Sequence, residues 1–368
     1  MKKIRIGVIF GGRSGEHEVS LLSAQSVMEA LDRGKYEVVP LGITRDGRWR
    51  IGGDPLAELK ALAAGGKGKI SAAGQPPQGE PPTMRALLPG LEGAGLPYVD
   101  VLFPVLHGPY GEDGTVQGLF ELAGIPYVGS GVLGSALAMD KAAMKSVFRA
   151  EGLPCVEYLT LMRWEWEQDQ QGVLRRVEHR LGYPCFVKPA NLGSSVGVSK
   201  AHDPAELVQA LNLAACYDRR LLVEEAVNAR EIECSVLGND RPQASVLGED
   251  VPKREFYDYE AKYLDDRTEL IIPVALPAPK VAEIQGLAVR AFVALDCAGM
   301  ARADFLLSRD SGQVYINELN TLPGFTNVSM YPKLWAASGL SYPRLLDRLI
   351  ELALERGRDK ARSSAWRS

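Results

Sequence analysis

The sequence predicts a three-domain α/β protein in which a doubly wound domain with a parallel sheet precedes two α+β domains. Strands and helices alternate through the first third of the chain, and short strands become more frequent from about Ser130 onward. The length of 368 residues is sufficient for two or three domains with their own cores. We expect the domains to span residues 1–129, 130–224 and 225–368.

The first domain is predicted from its alternating elements. The apolar segment IRIGVIFGG is a buried strand that ends in a Gly-Gly turn, and the helix after it carries apolar residues at Val19, Leu22, Val27 and Leu31. A Gly/Pro-rich surface loop from about Ala64 to Pro97 separates the strands EVVPLGIT and VDVLFPVLHG. A helix from Val116 to Ala123 follows. This β-α order is typical of a parallel sheet.

The rest of the chain combines helices with many strands. A helix from Ala138 to Ala150 precedes the short strands CFVKPA and VGVSK, and a second helix runs from Pro204 to Cys216. Further helices lie near Ile284 to Leu295 and Tyr342 to Arg356. The remaining predicted strands are RLLVEEAV, REIECSVLG, QASVLGEDV, ELIIPVAL, GMARADFLL and QVYINELN. This pattern predicts two α+β domains.

Composition excludes several functional classes. Apolar residues make up 46% of the chain, charged residues 24%, and the net charge is -4, which argues against a nucleic-acid or anionic-membrane surface. The five cysteines are scattered and form no CxxC pair, as expected for reduced thiols rather than a disulfide framework or zinc site. No stretch reaches the roughly 18 apolar residues of a membrane span. We expect a cytoplasmic protein.

Two carboxylates and an amide near the C-terminal end suggest a metal site. Glu318 and Asn320 share one face of a predicted strand because side chains alternate along it. Asp304 on the neighbouring predicted strand could meet them, and Arg302 shares its face. Hard oxygen ligands of this kind suit Mg²⁺. The alternative is a polar outer strand face with Asn320 opening a turn.

A lysine followed by a loop of small residues suggests a phosphate site. Lys188 ends a predicted strand, and residues 193–197 form the loop GSSVG, whose backbone N–H groups could bind phosphate. A simple hairpin turn is the alternative. The loop also matches the G-x-S-x-G nucleophile elbow of hydrolases, with Ser195 as nucleophile. His202 is the one histidine downstream and lies too close in sequence, so the hydrolase interpretation is excluded.

Two loops of the first domain could bind substrate. Glu16 and Glu18 follow the glycine turn, where acidic residues either complement a helix dipole or, in the case of Glu16, bind a cationic amine. A nicotinamide-binding module is disfavoured because G-x-G-x-x-G is absent. His107 follows another strand, at the edge where α/β proteins bind ligands. It could contact a carboxylate or cap the turn.

Taken together, these segments resemble the D-alanine–D-alanine ligase family of the ATP-grasp superfamily. The matching stretches run from Gly11 to about Met330 and are GGRSGEHEVS, LHGPYGEDG, YVGSG, SALAMDK, VKPANLGSSVG, FYDYEAKY, RADF and NELNTLPGFT. The resemblance implies an ATP-grasp fold whose second and third domains clasp ATP. It also implies a homodimer that joins two D-alanine molecules through a D-alanyl phosphate, for peptidoglycan precursor synthesis.

The resemblance also assigns roles to individual residues. The resemblance implies that ATP is contacted by Lys141, Lys188, Ser194, Ser195, Glu224, Glu225, Ala226, Val227, Glu231, Lys262, Asn317 and Glu318. Two Mg²⁺ ions, for which Mn²⁺ can substitute, would be bound by Asp304, Glu318 and Asn320. The D-alanine substrates would be bound by Glu16, His107, Lys262, Tyr263, Arg302, Ser329 and Met330. The catalytic group comprises Glu16, Ser194, Tyr263, Arg302, Gly324 and Ser329.

Within that group the resemblance implies an oxyanion site and a lid. Arg302 and the backbone N–H of Gly324 would stabilise the tetrahedral oxyanion. Lys262 and Tyr263 would form a lid that excludes water, since hydrolysis of the acyl phosphate wastes ATP. Hydrogen bonds would join Tyr263 to Ser194 and Glu16. A sister ligase that makes D-alanyl-D-lactate and a nucleotide-binding regulator are the alternative interpretations.

Overall fold

A computed structural model describes residues 2–64, 98–251 and 269–363. The predicted lid residues Lys262 and Tyr263 lie outside these ranges, as does almost all of the Gly/Pro-rich stretch. The described residues form three β-sheets with helices packed against them.

The N-terminal sheet has the strand order β3-β2-β1-β4. Its strands are β1 (Ile4–Gly11), β2 (Tyr36–Ile43), β3 (Trp49–Ile51) and β4 (Val101–Pro104). β1 pairs in parallel with β2 and β4, as predicted, whereas the edge strand β3 runs antiparallel to β2. The short connection after β2 explains the difference, because a tight turn joins only antiparallel strands.

Three helices accompany this sheet: α1 (His17–Ala30), α2 (Pro55–Ala63) and α3 (Thr115–Ala123). α1 and α3 confirm the predicted helices, and α1 buries Leu21, Ala24 and Val27 against the sheet. Leu22, which was expected on the apolar face of α1, is exposed because Leu21 takes the position that faces the sheet. The sequence analysis did not anticipate α2. The Asp54 carboxylate caps it by accepting a hydrogen bond from the Ala57 N–H at 3.1 Å.

One predicted helix is two helices in the structure. The segment predicted as a helix from Ala138 to Ala150 contains the end of α4 (Val132–Met139) and all of α5 (Lys141–Ala150). Asp140 interrupts them with an extended backbone, and its carboxylate accepts a hydrogen bond from Ala143 N–H at 2.9 Å. The break follows from the preference of aspartate for the N-cap position over the helix interior.

The central sheet is antiparallel, with the order β5-β8-β6-β7. Its strands are β5 (Tyr158–Met162), β6 (Cys185–Pro189), β7 (Ser199–Ala201) and β8 (Arg220–Glu225). Helices α6 (Arg163–Gln168), α7 (Gln170–Arg180) and α8 (Pro204–Tyr217) flank it. Val187 and Val223 pack with Leu211 of α8 on one face. Alternation therefore directs Lys188 and Glu224 to the opposite face.

The third sheet is also antiparallel, with the order β11-β10-β9-β12-β13. Its strands are β9 (Ala229–Gly238), β10 (Gln243–Val251), β11 (Glu269–Ile271), β12 (Gly299–Ser308) and β13 (Val314–Asn320). Helix α9 (Ala278–Ala294) shares a core with Cys234 and Ala303 of this sheet. Only three residues of the predicted strand ELIIPVAL form a strand.

Two C-terminal helices connect the third sheet to the first domain. They are α10 (Met330–Ala337) and α11 (Tyr342–Arg362). Leu345, Leu349 and Ile350 of α11 join the same core as Val8 of β1. Within the three described ranges, no helix combines the length and apolar character that crossing a bilayer requires.

Candidate active site

A cavity of about 210 Å³ lies where the three sheets meet. Every part of the fold contributes to its wall, including the loops after β1 and β4, the start of α5, the β6–β7 loop, strands β12 and β13, and the start of α10. The predicted residues that line it are Glu16, His107, Lys141, Ser194, Arg302, Glu318, Asn320, Gly324, Ser329 and Met330. Segments far apart in sequence thus meet at one site.

The predicted metal ligands lie on the paired strands β12 and β13. Asp304 pairs directly with Glu318, and Arg302 pairs with Asn320. Directly opposed residues in an antiparallel pair point to the same face, so these four side chains share one face. A register shift follows Asp304, since Phe305 pairs with Ile316. Asn317 is the extra residue of this bulge and is half-buried.

Arg302 is buried and binds two carboxylates. Its Nε and Nη2 donate to the two oxygens of Asp304 at 2.7 and 2.6 Å, and Nε lies 3.2 Å from Glu233 Oε2. Burial alone would lower the pKa of Arg302, but Asp304 and Glu233 outweigh it and raise this pKa well above the usual arginine range. The guanidinium is therefore held as a fixed cation at the cavity wall.

Glu233 is a site residue that the sequence analysis missed. It lies on β9 directly opposite Asp304 and lines the cavity. Its position two residues after Glu231 is the one signal in the sequence, because alternation places both on the same strand face.

Lys141 links the glycine-serine loop to the β13 carboxylate. Its Nζ donates to the carbonyl oxygen of Leu192 at 2.6 Å and lies 3.5 Å from Glu318 Oε2. The side chain is largely buried at the first position of α5. The ammonium is thus fixed between the loop and the predicted metal site.

The same loop contacts the first domain. The Ser194 hydroxyl donates a hydrogen bond to the Glu16 carboxylate. Ser194 and Ser195 both adopt left-handed backbone conformations, with φ of 51° and 57°. Such conformations are costly for residues other than glycine and are often found at functional sites. Tyr263, the third predicted member of this hydrogen-bonded group, lies outside the described residues.

His107 is buried in the cavity wall. Its Nδ1 lies 3.0 Å from the carbonyl oxygen of Leu322, and its Nε2 lies 3.2 Å from the Ser23 hydroxyl. Nδ1 is also 3.7 Å from Glu112 Oε1. Burial lowers the pKa of His107, but the contact with Glu112 and the charge of Glu16 outweigh it, so the net shift is upward. Glu112, which the sequence analysis missed, is buried with it.

Three charged side chains meet where α5 faces the central sheet. Lys188 Nζ lies 2.6 Å from Glu224 Oε2, and Lys145 Nζ lies 2.9 Å from Glu224 Oε1. Burial raises the pKa of Glu224, but the two lysines overcome this effect and lower it to about 2. The sequence analysis missed Lys145. Its spacing of one helical turn from Lys141 was the available signal.

Four of the predicted ATP contacts form a continuous segment, called the hinge below, at the end of β8 and directly after it: Glu224, Glu225, Ala226 and Val227. Glu225 accepts a hydrogen bond from the Glu157 N–H at 3.0 Å, and the Ala226 N–H donates to the Pro184 carbonyl at 3.2 Å. Val227 is half-buried. Glu231 lies on the neighbouring strand β9 and is exposed. The hinge backbone is therefore held between the start of β5 and the turn before β6.

The loop before α10 forms the opposite wall of the cavity. Ser329 Oγ lies 2.7 Å from the Thr326 hydroxyl and accepts a hydrogen bond from the Thr326 N–H at 3.1 Å. A Cβ atom at Gly324 would come within 3.1 Å of Ser329 Oγ. Met330 is buried behind them. The Ser329 hydroxyl group is therefore held in a fixed position in this wall.

Family models match nearly the whole chain. The model described as "D-ala D-ala ligase N-terminus" matches residues 5–130, and "D-ala D-ala ligase C-terminus" matches residues 147–351. A D-alanine–D-alanine ligase of Heliobacterium modesticaldum is 53% identical over 100% of this chain and 99% of its own length. One from Natranaerobius thermophilus is 51% identical over 99% and 98%.

Solved structures agree with these relatives. The D-alanine–D-alanine ligase of Coxiella burnetii is 37% identical, with a TM-score of 0.82 over 98% of this chain and 97% of that one. The VanG D-Ala:D-Ser ligase of Enterococcus faecalis is 36% identical, with a TM-score of 0.80 over 96% and 100%. The sequence match and the fold lead to one conclusion: this chain belongs to the D-alanine–D-alanine ligase family.

Proposed function

We propose that the cavity between the three sheets carries out the family's reaction with the residues described above. The protein is an ATP-dependent ligase that joins two D-alanine molecules for peptidoglycan synthesis. The observation that carries the residue assignment is the meeting of Glu16, Arg302 and Glu318 around one cavity. Glu16 is oppositely charged to an amine, Arg302 to an oxyanion, and Lys141, 3.5 Å from Glu318, to a phosphate, while Glu318 itself would hold Mg²⁺.

The first step activates a carboxylate. Glu16 binds the ammonium group of the first D-alanine and orients that substrate. An oxygen of the substrate carboxylate attacks the γ-phosphorus of ATP, the bond to the β–γ bridging oxygen breaks, and ADP leaves. Lys141 and Lys188 offset negative charge on the phosphates during this transfer. The product is a D-alanyl phosphate, whose phosphate is a good leaving group.

The second step forms the peptide bond. Ser329 and the Met330 backbone hold the carboxylate of the second D-alanine, whose amine attacks the acyl carbon after losing a proton. Arg302 and the Gly324 N–H stabilise the oxyanion that develops on the acyl oxygen. The bond between the acyl carbon and the phosphate oxygen then breaks and inorganic phosphate leaves. The buried position of Arg302 strengthens this electrostatic contribution.

The donor set on β12 and β13 fits magnesium. Asp304 and Glu318 are opposed in register with Asn320 on the same face, which gives hard oxygen ligands. Asp304, Glu318 and Asn320 would hold the ion; in the parts of the chain that the structure describes, no three His, Cys, Asp or Glu side chains gather as a metal site. Bound Mg²⁺, or Mn²⁺ in its place, supplies charge neutralisation at the phosphates.

The remaining nucleotide contacts follow the hinge. Glu225, Ala226 and Val227 would lie along the adenine and Glu231 would reach the ribose, with Asn317 and Ser195 near the phosphates. Support for this assignment is the continuity from Glu224 at the end of β8 through the hinge to β9. Lys262 and Tyr263 would close the site as a lid.

Assembly and location complete the proposal. We place the enzyme in the cytoplasm because its five cysteines are free thiols, as expected for a reducing compartment.

We also propose that the enzyme is a homodimer. The exposed apolar side chains of Leu122 on α3 and of Val132 and Leu133 on α4 offer a surface for it. Sedimentation equilibrium measures the mass in solution, and a monomer at micromolar concentration would contradict the dimer.

A product assay tests the proposed function. The enzyme is incubated with ATP, Mg²⁺ and D-alanine, and parallel reactions contain L-alanine, D-serine or D-lactate with D-alanine. We expect D-alanyl-D-alanine, ADP and phosphate in equal amounts from D-alanine alone. A dominant ester with D-lactate would indicate the sister ligase. Absence of any dipeptide would indicate a nucleotide-binding regulator.

A further inference from the structure

Lys145 is a fully buried cation that the proposed mechanism does not use. Its side chain is 1% exposed, and its Nζ lies 2.9 Å from Glu224 Oε1. The other oxygen of the same carboxylate, Oε2, lies 2.6 Å from Lys188 Nζ. One carboxylate is therefore held between two ammonium groups, one from α5 and one from β6.

The positions of these residues explain how each acts. Lys188 and Glu224 lie on the adjacent strands β6 and β8, where Lys188 pairs with Leu222 and Glu224 pairs with Phe186. They are diagonal neighbours on the sheet face opposite the α8 core, and on this face Leu222 packs with Ala142 of α5. Lys145 reaches Glu224 from α5, and it is not among the residues that line the cavity.

The charges of the group favour an anion beside it. Two lysines and one glutamate carry a net charge of +1 among themselves, and the negative charges of Glu318 and Glu231 act on Lys188 from outside this group. A buried charge is costly unless a partner offsets it, and removing one member of such a group leaves another uncompensated. A phosphate group next to Lys188 would balance the excess charge, whereas Lys145 is too deeply buried to touch it.

We propose that Lys145 is a positioning residue for the nucleotide site, which holds the Glu224 carboxylate so that this carboxylate orients the Lys188 ammonium. The inference rests on the proposed contact between Lys188 and the phosphates of ATP. Helix α5 also carries Lys141, whose Nζ lies 3.5 Å from Glu318. Helix α5 therefore carries both the lysine beside Glu318 and the lysine beside Glu224.

Steady-state kinetics of the full-length enzyme test the proposal. Lys145→Met removes the charge at similar length, and Lys145→Arg retains it. We expect Lys145→Met to raise the KM for ATP about tenfold, because the Glu224 carboxylate loses one of its two ammonium partners, while the KM for D-alanine stays within about twofold. Lys145→Arg should restore most of the ATP affinity. Lys280→Met is a matched control, since Lys280 pairs with Glu283 at 2.7 Å on α9, away from the site.

A double-mutant cycle separates positioning from general stability. If Lys145 acts through Glu224, then Lys145→Met should cause little further loss of ATP affinity in a Glu224→Gln background. An equal loss in both backgrounds would overturn the proposal. So would a Lys145→Met enzyme that melts at a lower temperature but keeps its KM for ATP.

A third experiment distinguishes this inference from the proposed function. Lys188→Met should weaken binding of ADP, measured by calorimetry in the presence of Mg²⁺. If Lys188→Met weakens ADP binding and Lys145→Met does not, the positioning role of Lys145 is wrong, and the proposed place of the nucleotide stands. If neither variant changes ADP binding, the proposed place of the nucleotide is wrong as well.

Discussion

Replacing Arg302 with lysine separates the charge of this residue from the shape of its guanidinium. Lysine retains a positive charge, but its single ammonium cannot reproduce the fork that binds both oxygens of Asp304 at 2.7 and 2.6 Å and approaches Glu233 at 3.2 Å. We expect Arg302→Lys to fold and to bind ATP, with a large loss of turnover.

The size of the effect follows from burial and hydrogen bonding. Arg302 is almost completely buried, so each charge-assisted hydrogen bond of its fork contributes about 1.5–3 kcal/mol. Losing one donor to the oxyanion lowers kcat by about 10²–10³-fold in enzymes with comparable sites. We therefore expect kcat to fall about 10²-fold, which corresponds to about 2.7 kcal/mol of transition-state stabilisation. Dipeptide formation at saturating ATP and D-alanine measures it.

Arg230→Lys is the matched control. Arg230 forms a similar two-pronged pair with Glu249, at 2.8 and 2.6 Å, on β9 and β10 outside the cavity lining. This variant should lose some stability and keep its kcat. If Arg302→Lys retained near-normal turnover, or if both variants lost kcat equally, the assignment of Arg302 to the oxyanion would be wrong.

Three further predictions concern the same site. Asp304→Asn and Glu318→Gln should each abolish ligation while circular dichroism and melting temperature remain close to wild type, and near-normal turnover at ordinary Mg²⁺ would contradict the metal assignment. Ser194→Ala removes the hydrogen bond to Glu16, so we expect the KM for D-alanine to rise about tenfold in steady-state assays; an unchanged value would show that this bond does not order the substrate site. Because the pKa of Glu224 is lowered to about 2, its ionised form stabilises the fold above the ordinary glutamate pKa, and this contribution is lost as pH falls toward 2. The difference in unfolding free energy between wild type and Glu224→Gln should therefore narrow between about pH 5 and pH 3 in denaturant titrations, and a constant difference would contradict the shift.

Local patterns in the sequence predicted the elements that depend on local physics. Alternation along QVYINELN was enough to place Glu318 and Asn320 on one strand face, and β13 has that arrangement. The helices α1, α3 and α8 follow apolar periodicity and were predicted within a few residues.

The features that were missed depend on pairing between distant segments. Glu233 reaches Arg302 because β9 pairs with β12, and a single sequence does not specify which strands pair or in what register. In the sequence, Lys145 is one of two lysines on an amphipathic helix, and only the packing of α5 on the central sheet shows that it lies beside Glu224. The break at Asp140 was predictable from its capping preference, but the apolar pattern continued across it.

The domain boundaries at residues 129 and 224 stay a prediction. The three sheets occupy the segments Ile4–Pro104, Tyr158–Glu225 and Ala229–Asn320. Helix α11, however, returns from the third sheet to pack against the first domain. A division of the chain into three consecutive domains is therefore approximate, because one core contains segments from both ends of the sequence.

Transfer of a heavy-oxygen label from substrate to phosphate tests whether the enzyme forms a D-alanyl phosphate. D-Alanine labelled with ¹⁸O in its carboxylate is incubated with the enzyme, ATP and Mg²⁺, and the products are analysed by mass spectrometry. We expect one labelled oxygen in the inorganic phosphate released with each ADP. The carboxylate oxygen remains on phosphorus when the second amine displaces phosphate from the acyl carbon. Unlabelled phosphate, or AMP and pyrophosphate in place of ADP, would contradict an acyl phosphate formed in this cavity.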